Sequence, residues 1–519
     1  MKLNKIFNTL SIAAVALFAT ACADTDAQYE IPVVGAPNLL SITPAESGVL
    51  LYGDKTIKVK FDKRVNFVTA NLNKITLNGV PVKKALVLGA DSVLTIYADV
   101  SFSKTQNLII PAGLIKGPQG DAYDKDINVT WTIKDLPSNK VTEMTKKLGW
   151  GWNLGNHFDT SNMDYGYWDK ATPTAATFNA LAAAGAKSVR IPTTWTNHMG
   201  ENNVIDADYL NEVAGVVDLA IAAGLNVILN THHDSFEAEL GNAALIPAKA
   251  AEYTELITTL WTQVATRFAA YGDNLIFETF NEIHAGDDWS KGSEPQFAML
   301  NTWNQLAVDA IRKTGGNNAT RWIGISGYAA NIDLTIEHLK IPTDDHIMVG
   351  VHCYDPHAFC ISPLDLKADT LKINSWGHNA HPNYSVANNN EDYIINQIYK
   401  LRTAYIDKGI PCYLGEYGCV NFPTESANAF RKYYLEYFCK CANLAGIPMF
   451  IWDNNVQGVV HPELVDGELR NVEALGYVDH ATGAFINNSQ DLIPMMIKAC
   501  TDDSYYNFDT IWTHSPEAE

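Results

Sequence analysis

The sequence predicts an α/β fold, a (β/α)8 TIM barrel preceded by a small all-β sandwich. Three observations predict it. From about residue 145 onward, apolar strand-like runs alternate with amphipathic helical stretches, the pattern of βα units on a parallel sheet. Eight such runs occur, at 148–155, 186–192, 226–232, 275–282, 321–327, 347–354, 411–418 and 448–454, and eight is the number that closes a barrel. Upstream, residues 36–135 hold only short alternating runs broken by turn residues, which suits two packed antiparallel sheets.

Bulk properties agree with this division. A chain of 519 residues is long enough for two or more domains, and 47% hydrophobic content supports a large core. A formal net charge of −21 argues against nucleic acid as a partner, because phosphate binding needs a concentrated basic surface. A monomer acting on a neutral polymer is expected.

The elements follow in order. Lys2 and Lys5 precede an apolar core, Leu10–Ala19, too short to span a bilayer as a helix. Residues 1–22 therefore read as an export signal. Ala19-Thr-Ala-Cys22 resembles a bacterial lipoprotein cleavage box, which implies lipidation of Cys22 and anchoring through membrane lipid at the outer membrane or cell surface. Ordinary cleavage near Ala21 or Ala23, giving a secreted chain, is the alternative. Residues 23–35, small and polar, read as a tether.

Within 36–135, Thr56–Phe61 and Asp91–Tyr97 alternate, Asn78-Gly79 signals a hairpin turn, and Val129–Ile133 closes the segment. The run Asn107–Gly120 resembles the later strands of bacterial Ig-like domains. That implies an Ig-like spacer module, with sugar binding as the other reading. Residues 136–146 read as a linker and 147–505 as the barrel domain.

In the barrel region Ala207–Gly224 and Glu252–Tyr271 read as helices. In the second, Tyr253, Leu256, Ile257, Leu260, Trp261 and Val264 recur at helical spacing. Gly149-Trp-Gly-Trp-Asn-Leu-Gly155 lies inside a strand run with no helix after it, so it is not a dinucleotide-binding loop. Besides Cys22 there are seven cysteines, and an odd number leaves at least one thiol unpaired. The Cys353/Cys360 and Cys412/Cys419 spacings do not look like zinc sets. Buried free thiols at strand ends account for most of the seven, a local disulfide being the alternative.

The chemistry collects at the carboxyl ends of the strands, where a barrel of this kind places it. The first run ends Trp152-Asn-Leu-Gly-Asn156, the second Val189-Arg-Ile-Pro-Thr-Thr-Trp195, the third Asn230-Thr-His-His-Asp234 and the fourth Phe280-Asn-Glu282. The sixth ends Val351-His-Cys-Tyr354, the seventh Gly415-Glu-Tyr-Gly418 and the eighth Ile451-Trp-Asp-Asn454. Structural strand ends do not demand this crowding of polar and aromatic residues. Glu282 and Glu416 suggest a pair of carboxylates for glycosidic bond cleavage.

These motifs resemble glycoside hydrolase family 5, the clan of retaining (β/α)8 endoglycanases, over about residues 145–500. The Trp-Asn-Leu-Gly-Asn, Thr-His-His and His-Cys-Tyr motifs are most similar to its endoglucanase and xyloglucanase branch. The resemblance implies hydrolysis of internal β-1,4-glucosidic bonds in a polysaccharide, β-glucan or xyloglucan, by double displacement. It implies Glu282 as proton donor and Glu416 as nucleophile. Arg190, His233, Asn281, His352, Tyr354 and Trp452 match residues lining the cleavage subsite, with His232 beside them. A β-mannanase or xylanase on the same scaffold, or a non-catalytic surface glycan-binding protein, are the other readings.

The chemistry fits these residue types. Arg190 near Glu416 would keep a nucleophile ionised, and Tyr354 could donate to it. The acid must hold a proton near neutral pH, which a nearby negative charge and an apolar setting favour. Asn281 suits a sugar 2-hydroxyl, and Trp452 the apolar face of a sugar ring. Arg190 could also pair with an acid inside the barrel, and His232-His233 could be core histidines or metal ligands. Metal-dependent amidohydrolases on this fold carry a His-x-His motif after the first strand, which holds no histidine here, so no metal or cofactor is expected. Trp168, Trp195, Trp289 and Trp376 divide between outer sugar subsites and core. Two departures from the family pattern, Ile283-His284 after the acid and a single Trp on the eighth strand, bear on substrate choice.

Overall fold

The computed structural model describes residues 33–518 except 45–48, 51–55, 83, 89–90, 98–104, 134–135, 161–170, 235–242, 244–245, 287, 466 and 503–510. Cys22, the export signal, most of the tether and Trp168 lie outside the described residues. The described residues form two compact units, one up to Thr132 and one from Ile133 onward.

The first unit is built of antiparallel strands. One sheet runs in the order Leu39–Thr43, Thr56–Phe61, Val93–Tyr97, Lys84–Val87. The other runs Val49–Leu50, Ile127–Ile133, Thr105–Ile110, Thr76–Leu77, Val80–Pro81. Alternation predicts the buried face: Ile57, Val59 and Phe61 are inside while Thr56, Lys58 and Lys60 are exposed. Asn78 and Gly79 both have positive φ, 54° and 80°, and join strands in which Leu77 pairs with Val80. That is the hairpin turn which Asn-Gly favours.

The second unit is a closed barrel of eight parallel strands, all at the expected places. They are β1 (Trp150–Leu154), β2 (Ser188–Ile191), β3 (Asn226–Asn230), β4 (Leu275–Glu278), β5 (Ile323–Asn331), β6 (Ile347–His352), β7 (Cys412–Tyr417) and β8 (Met449–Asp453). β1 pairs with both β2 and β8, which closes the ring. A helix follows each strand: Ala175–Ala184, Ala207–Ala222, Pro247–Arg267, Glu294–Lys313, Ile332–His338, Glu391–Ala404, Glu425–Ala445 and Ser489–Thr501. Their ends are set locally. Asp206 accepts from the Asp208 and Tyr209 N–H groups, Asn390 from Asp392 N and Thr424 from Ala427 N.

Both faces of each strand are covered, so strands read as apolar runs rather than alternating ones. Alternation still decides which side each residue faces. On β4, Leu275 and Phe277 pack into the core under the helices, whereas Ile276 joins a separate inner cluster with Ile228, Met348, Tyr413 and Phe450. Met144 and Leu148 complete that cluster. They come from a helix, Lys140–Leu148, inside the segment 136–146 read as a linker. The physical reason for the difference is the spacing of Val141, Met144 and Leu148, which gives one apolar helical face. That face packs on the inner cluster of the barrel and is capped by Asn139, which accepts from Val141 N at 2.9 Å.

Candidate functional site

The site is assembled by strand register. Asn153 of β1 lies beside Arg190 of β2 and Trp452 of β8, Asn230 of β3 beside Glu278 of β4, and His352 of β6 beside Glu416 of β7. These neighbours face the interior above the apolar inner cluster. β4 ends at Glu278, so Glu282 sits on the loop beyond it rather than within the strand. Tyr354 and His232-His233 likewise lie just past β6 and β3.

Arg190 is the hub and is fully buried. Its Nη1 donates to Glu416 Oε1 at 2.8 Å and to Asn153 Oδ1 at 3.0 Å. Its Nη2 donates to Glu278 Oε1 at 2.6 Å and to Asn281 Oδ1 at 2.7 Å. Both sequence readings of Arg190 therefore hold at once: it pairs with an acid inside the barrel and with Glu416. Burial opposes its charge, but Glu278 and Glu416 outweigh burial and hold the guanidinium protonated. A guanidinium only donates, so it fixes Asn281 with its oxygen inward.

Glu278 was not among the expected site residues. Its carboxylate also accepts from Asn230 Nδ2 at 2.9 Å and from the Tyr413 hydroxyl at 2.6 Å. Burial raises its carboxyl, yet Arg190 and Tyr413 bring it net below the ordinary carboxylate range. The space for the Tyr413 ring comes from Gly324 and Gly350, where a Cβ would fall 2.2 Å and 2.7 Å from the phenol oxygen. A signal for Glu278 exists in the sequence, since it is two residues from Ile276 and so shares its inward face.

Glu416 accepts a second hydrogen bond, from the Tyr354 hydroxyl to Oε2 at 2.9 Å. Burial, then the charge of Glu416, pushes the Tyr354 phenol well above its usual value and keeps it a donor. The strand register shifts around Gly415, next to Glu416. A Cβ at Gly415 would come within 2.9 Å of His352 Nε2, so glycine lets the His352 ring lie against the backbone before Glu416.

His352 Nδ1 meets Glu282 Oε1 at 2.6 Å and stands 3.7 Å from Glu416 Oε2. Glu282, His352 and Glu416 each contribute an atom to a group lying within 4.8 Å of one another. Burial favours the neutral forms of His352 and Glu282. Their mutual attraction, with Glu416 also acting on His352, wins: the histidine is raised and the glutamate lowered. This corrects the expectation that a nearby negative charge and an apolar setting keep Glu282 protonated: burial does raise it, but His352 brings it net below the ordinary value. A cationic neighbour is the physical reason, and the proton belongs to the pair.

His232 is buried and accepts at Nδ1 from Asn230 Nδ2 at 3.2 Å, and its ring lies parallel to Trp452 with centroids 5.7 Å apart. Burial first, then neighbouring cations, lowers it well below the usual histidine value, so it stays neutral. His233 crosses His232 edge-on, and its backbone N–H donates to Thr194 Oγ1. Asp159 has an atom within 4.8 Å of both histidines, but its two oxygens already accept the Asn156 and His157 N–H groups. Burial pushes Asp159 up to about 6. Of the four tryptophans divided between subsite and core, Trp195 and Trp376 are buried in the core. Trp289 is 49% exposed and rests on His284, beside Glu282.

With this geometry in place, the likeness to known proteins is specific. Residues 151–458 match the model of the cellulase family, glycosyl hydrolase family 5. Endoglucanase A of Clostridium longisporum is 34% identical over 339 residues, which cover 62% of this chain and 61% of that protein. A solved broad-specificity endoglucanase from Bacteroides salanitronis aligns with a TM-score of 0.63 at 40% identity, covering 71% of this chain and 97% of that one. A family 5 xyloglucanase from Paenibacillus pabuli aligns with a TM-score of 0.60 at 28% identity, covering 69% and 100%. The family match takes in all eight strand ends that carry the site, and the chain belongs to glycosyl hydrolase family 5.

Proposed function

We propose that the chain is a retaining endo-β-1,4-glycanase of the endoglucanase or xyloglucanase type, with Glu416 as nucleophile and Glu282 as acid/base. The observation that carries this reading is the unequal treatment of two neighbouring carboxylates. Glu416 is held by two donors, Arg190 and Tyr354, whereas Glu282 is bonded to a histidine that shares a proton with it. Their nearest oxygens lie within 4.8 Å, which favours the retaining spacing of about 5–5.5 Å over the inverting one of about 6.5–9.5 Å. The relatives' names, endoglucanase and xyloglucanase, support a β-1,4-glucan substrate.

In this reading a Glu416 oxygen attacks the anomeric carbon as the bond to the leaving oxygen breaks. The proton of the Glu282–His352 pair passes to that oxygen. Water then enters, gives its proton back to Glu282 and releases the sugar from Glu416. Asn281, with its oxygen held by Arg190, presents its amide N–H groups to the sugar 2-hydroxyl. Trp452 offers its face to the ring at the cleavage point.

A panel of cellulose, xyloglucan, mixed-linkage glucan, mannan and xylan tests the substrate, with the anomer of the first product read by NMR. Cleavage of the glucans with retained β configuration is expected. Inverted product, or cleavage of mannan or xylan alone, would overturn the reading. Lipid on Cys22 and an Ig-like spacer in the first unit remain part of the proposal. Loss of membrane association in Cys22→Ala is the expected outcome for the anchor, and unchanged fractionation contradicts it.

A further inference from the structure

The loop that carries Glu282 is braced from β5, by groups outside the bonded set around Arg190 and Glu416. β4 ends at Glu278, and the chain then runs through Asn281 and Glu282 to a tight turn in which Asp288 N donates to the Ala285 carbonyl at 3.1 Å. One buried phenol closes that turn. The Ala285 N–H donates to the Tyr328 hydroxyl at 3.0 Å, and the same hydroxyl donates to the Asp288 carbonyl at 2.8 Å. A phenol has one proton to give, so its donating role is filled while it also accepts. Burial, the largest influence, pushes the phenol up, and it keeps that proton. The ring is fixed in turn by Phe297, which meets it edge-on with centroids 5.5 Å apart.

Next to Tyr328, the Ala329 N–H donates to the Ile283 carbonyl at 2.8 Å, one residue past Glu282. That bond needs a backbone turned toward the β4 loop instead of toward β6. Ser326 pairs with Gly350 and Asn331 with His352, and the residues between them bulge out of the ladder. Ala329 and Ala330 there have φ of 53° and 46°, the left-handed region that is unfavourable for an alanine. Such strain persists where the surroundings over-determine it, and it gathers at functional sites. Before Glu282, Thr279 N donates to the Gly324 carbonyl at 2.9 Å, and Thr279 Oγ1 donates to Asn304 Oδ1 at 2.6 Å. The backbone is thus tied on both sides of Glu282, while its side chain reaches inward to His352.

Reach decides what an acid can do, since a misplacement of about 1 Å can cost about 100-fold in rate. We propose that Tyr328 is a positioning residue for the acid/base. Its hydroxyl, together with the Ala329 N–H, holds the turn at 283–288 from behind and so sets the reach of Glu282 toward the leaving oxygen. This rests on the glycanase reading above.

The test compares the unaltered protein with Tyr328→Phe, which deletes both hydrogen bonds of the phenol and keeps its ring. Two aryl β-glycosides of cellotriose are the substrates. The phenyl glycoside needs its leaving oxygen protonated, whereas the 2,4-dinitrophenyl one releases a stable anion. Tyr328→Phe should lower kcat/KM about 10- to 100-fold on the phenyl glycoside and by much less on the dinitrophenyl one. Equal losses on both, or none on either, overturn the proposal. Hydrogen–deuterium exchange is read on the peptide covering 283–288, where slow exchange in the unaltered protein and faster exchange in Tyr328→Phe are expected. Fast exchange in the unaltered protein overturns the brace even if Tyr328→Phe does not fold. Should the unaltered protein cleave neither glycoside nor any glucan, the proposed function falls separately. The exchange comparison then judges the brace alone, and unchanged exchange in Tyr328→Phe overturns it.

Discussion

Replacing Glu278 by Gln removes one charge from the buried network without changing its shape. Four donor groups point at that carboxylate: Arg190 Nε and Nη2, Asn230 Nδ2 and the Tyr413 hydroxyl. A glutamine offers one acceptor oxygen, so its amide nitrogen must face a donor that cannot turn away. Arg190 would keep only Glu416 to balance its charge. Breaking a buried pair by removing one partner costs about 3–5 kcal/mol, and chemical denaturation of the barrel should show a loss of that order. The sign with pH follows from the direction of the shift. Glu278 lies below its ordinary value of 4.5 in the folded protein. Its contribution is therefore present above the unfolded pKa and lost as pH falls through the folded one. The difference between the two proteins should be full at pH 7 and shrink in acid. Arg190 also holds Asn281 and Glu416, so kcat/KM should fall with stability. A Glu278→Gln protein as stable as the original at pH 7 would refute the idea that this carboxylate balances Arg190.

Three further outcomes are expected. His352→Gln should move the alkaline limb of the kcat/KM profile to lower pH. His352 is raised above 6.5 and keeps a proton in the pair, whereas Glu282 alone would surrender it earlier; an unmoved limb contradicts the shared proton. Tyr354→Phe deletes one charged hydrogen bond to Glu416 and should cost about 1.5–3 kcal/mol in kcat/KM, measured on soluble glucan, with unchanged unfolding. Met144→Ala empties part of the inner cluster and should destabilise the barrel by about 2–5 kcal/mol, read by denaturation, while a neutral result would deny the helix Lys140–Leu148 its packing role.

What the sequence made legible was whatever local pattern decides. All eight barrel strands stand where apolar runs of strand length stood, because a parallel strand covered on both faces leaves that trace. Among the residues at the strand ends, Arg190, Asn281, Tyr354 and Glu416 lie in one hydrogen-bonded set, and His352, bonded to Glu282, stands 3.7 Å from Glu416. Long-range facts were harder to read. Glu278 looks like an interruption of an apolar run until Asn230 and Tyr413 are seen beside it. The fates of Trp195 and Trp376 depended on helices packed over them from elsewhere in the chain. The helix at Lys140 hid in a short polar segment, though its apolar spacing was present.

The most direct test of the central assignment is to trap the covalent intermediate with a 2-deoxy-2-fluoro glycoside of a cello-oligosaccharide and map the label by peptide mass spectrometry. The fluorine slows both steps by destabilising the oxocarbenium-like state, and a good leaving group restores the first. The label is expected on the peptide containing Glu416, with Glu282→Gln still able to form the adduct and slow to release it. A label on Glu282, or turnover with no adduct and an inverted product, would contradict the assignment.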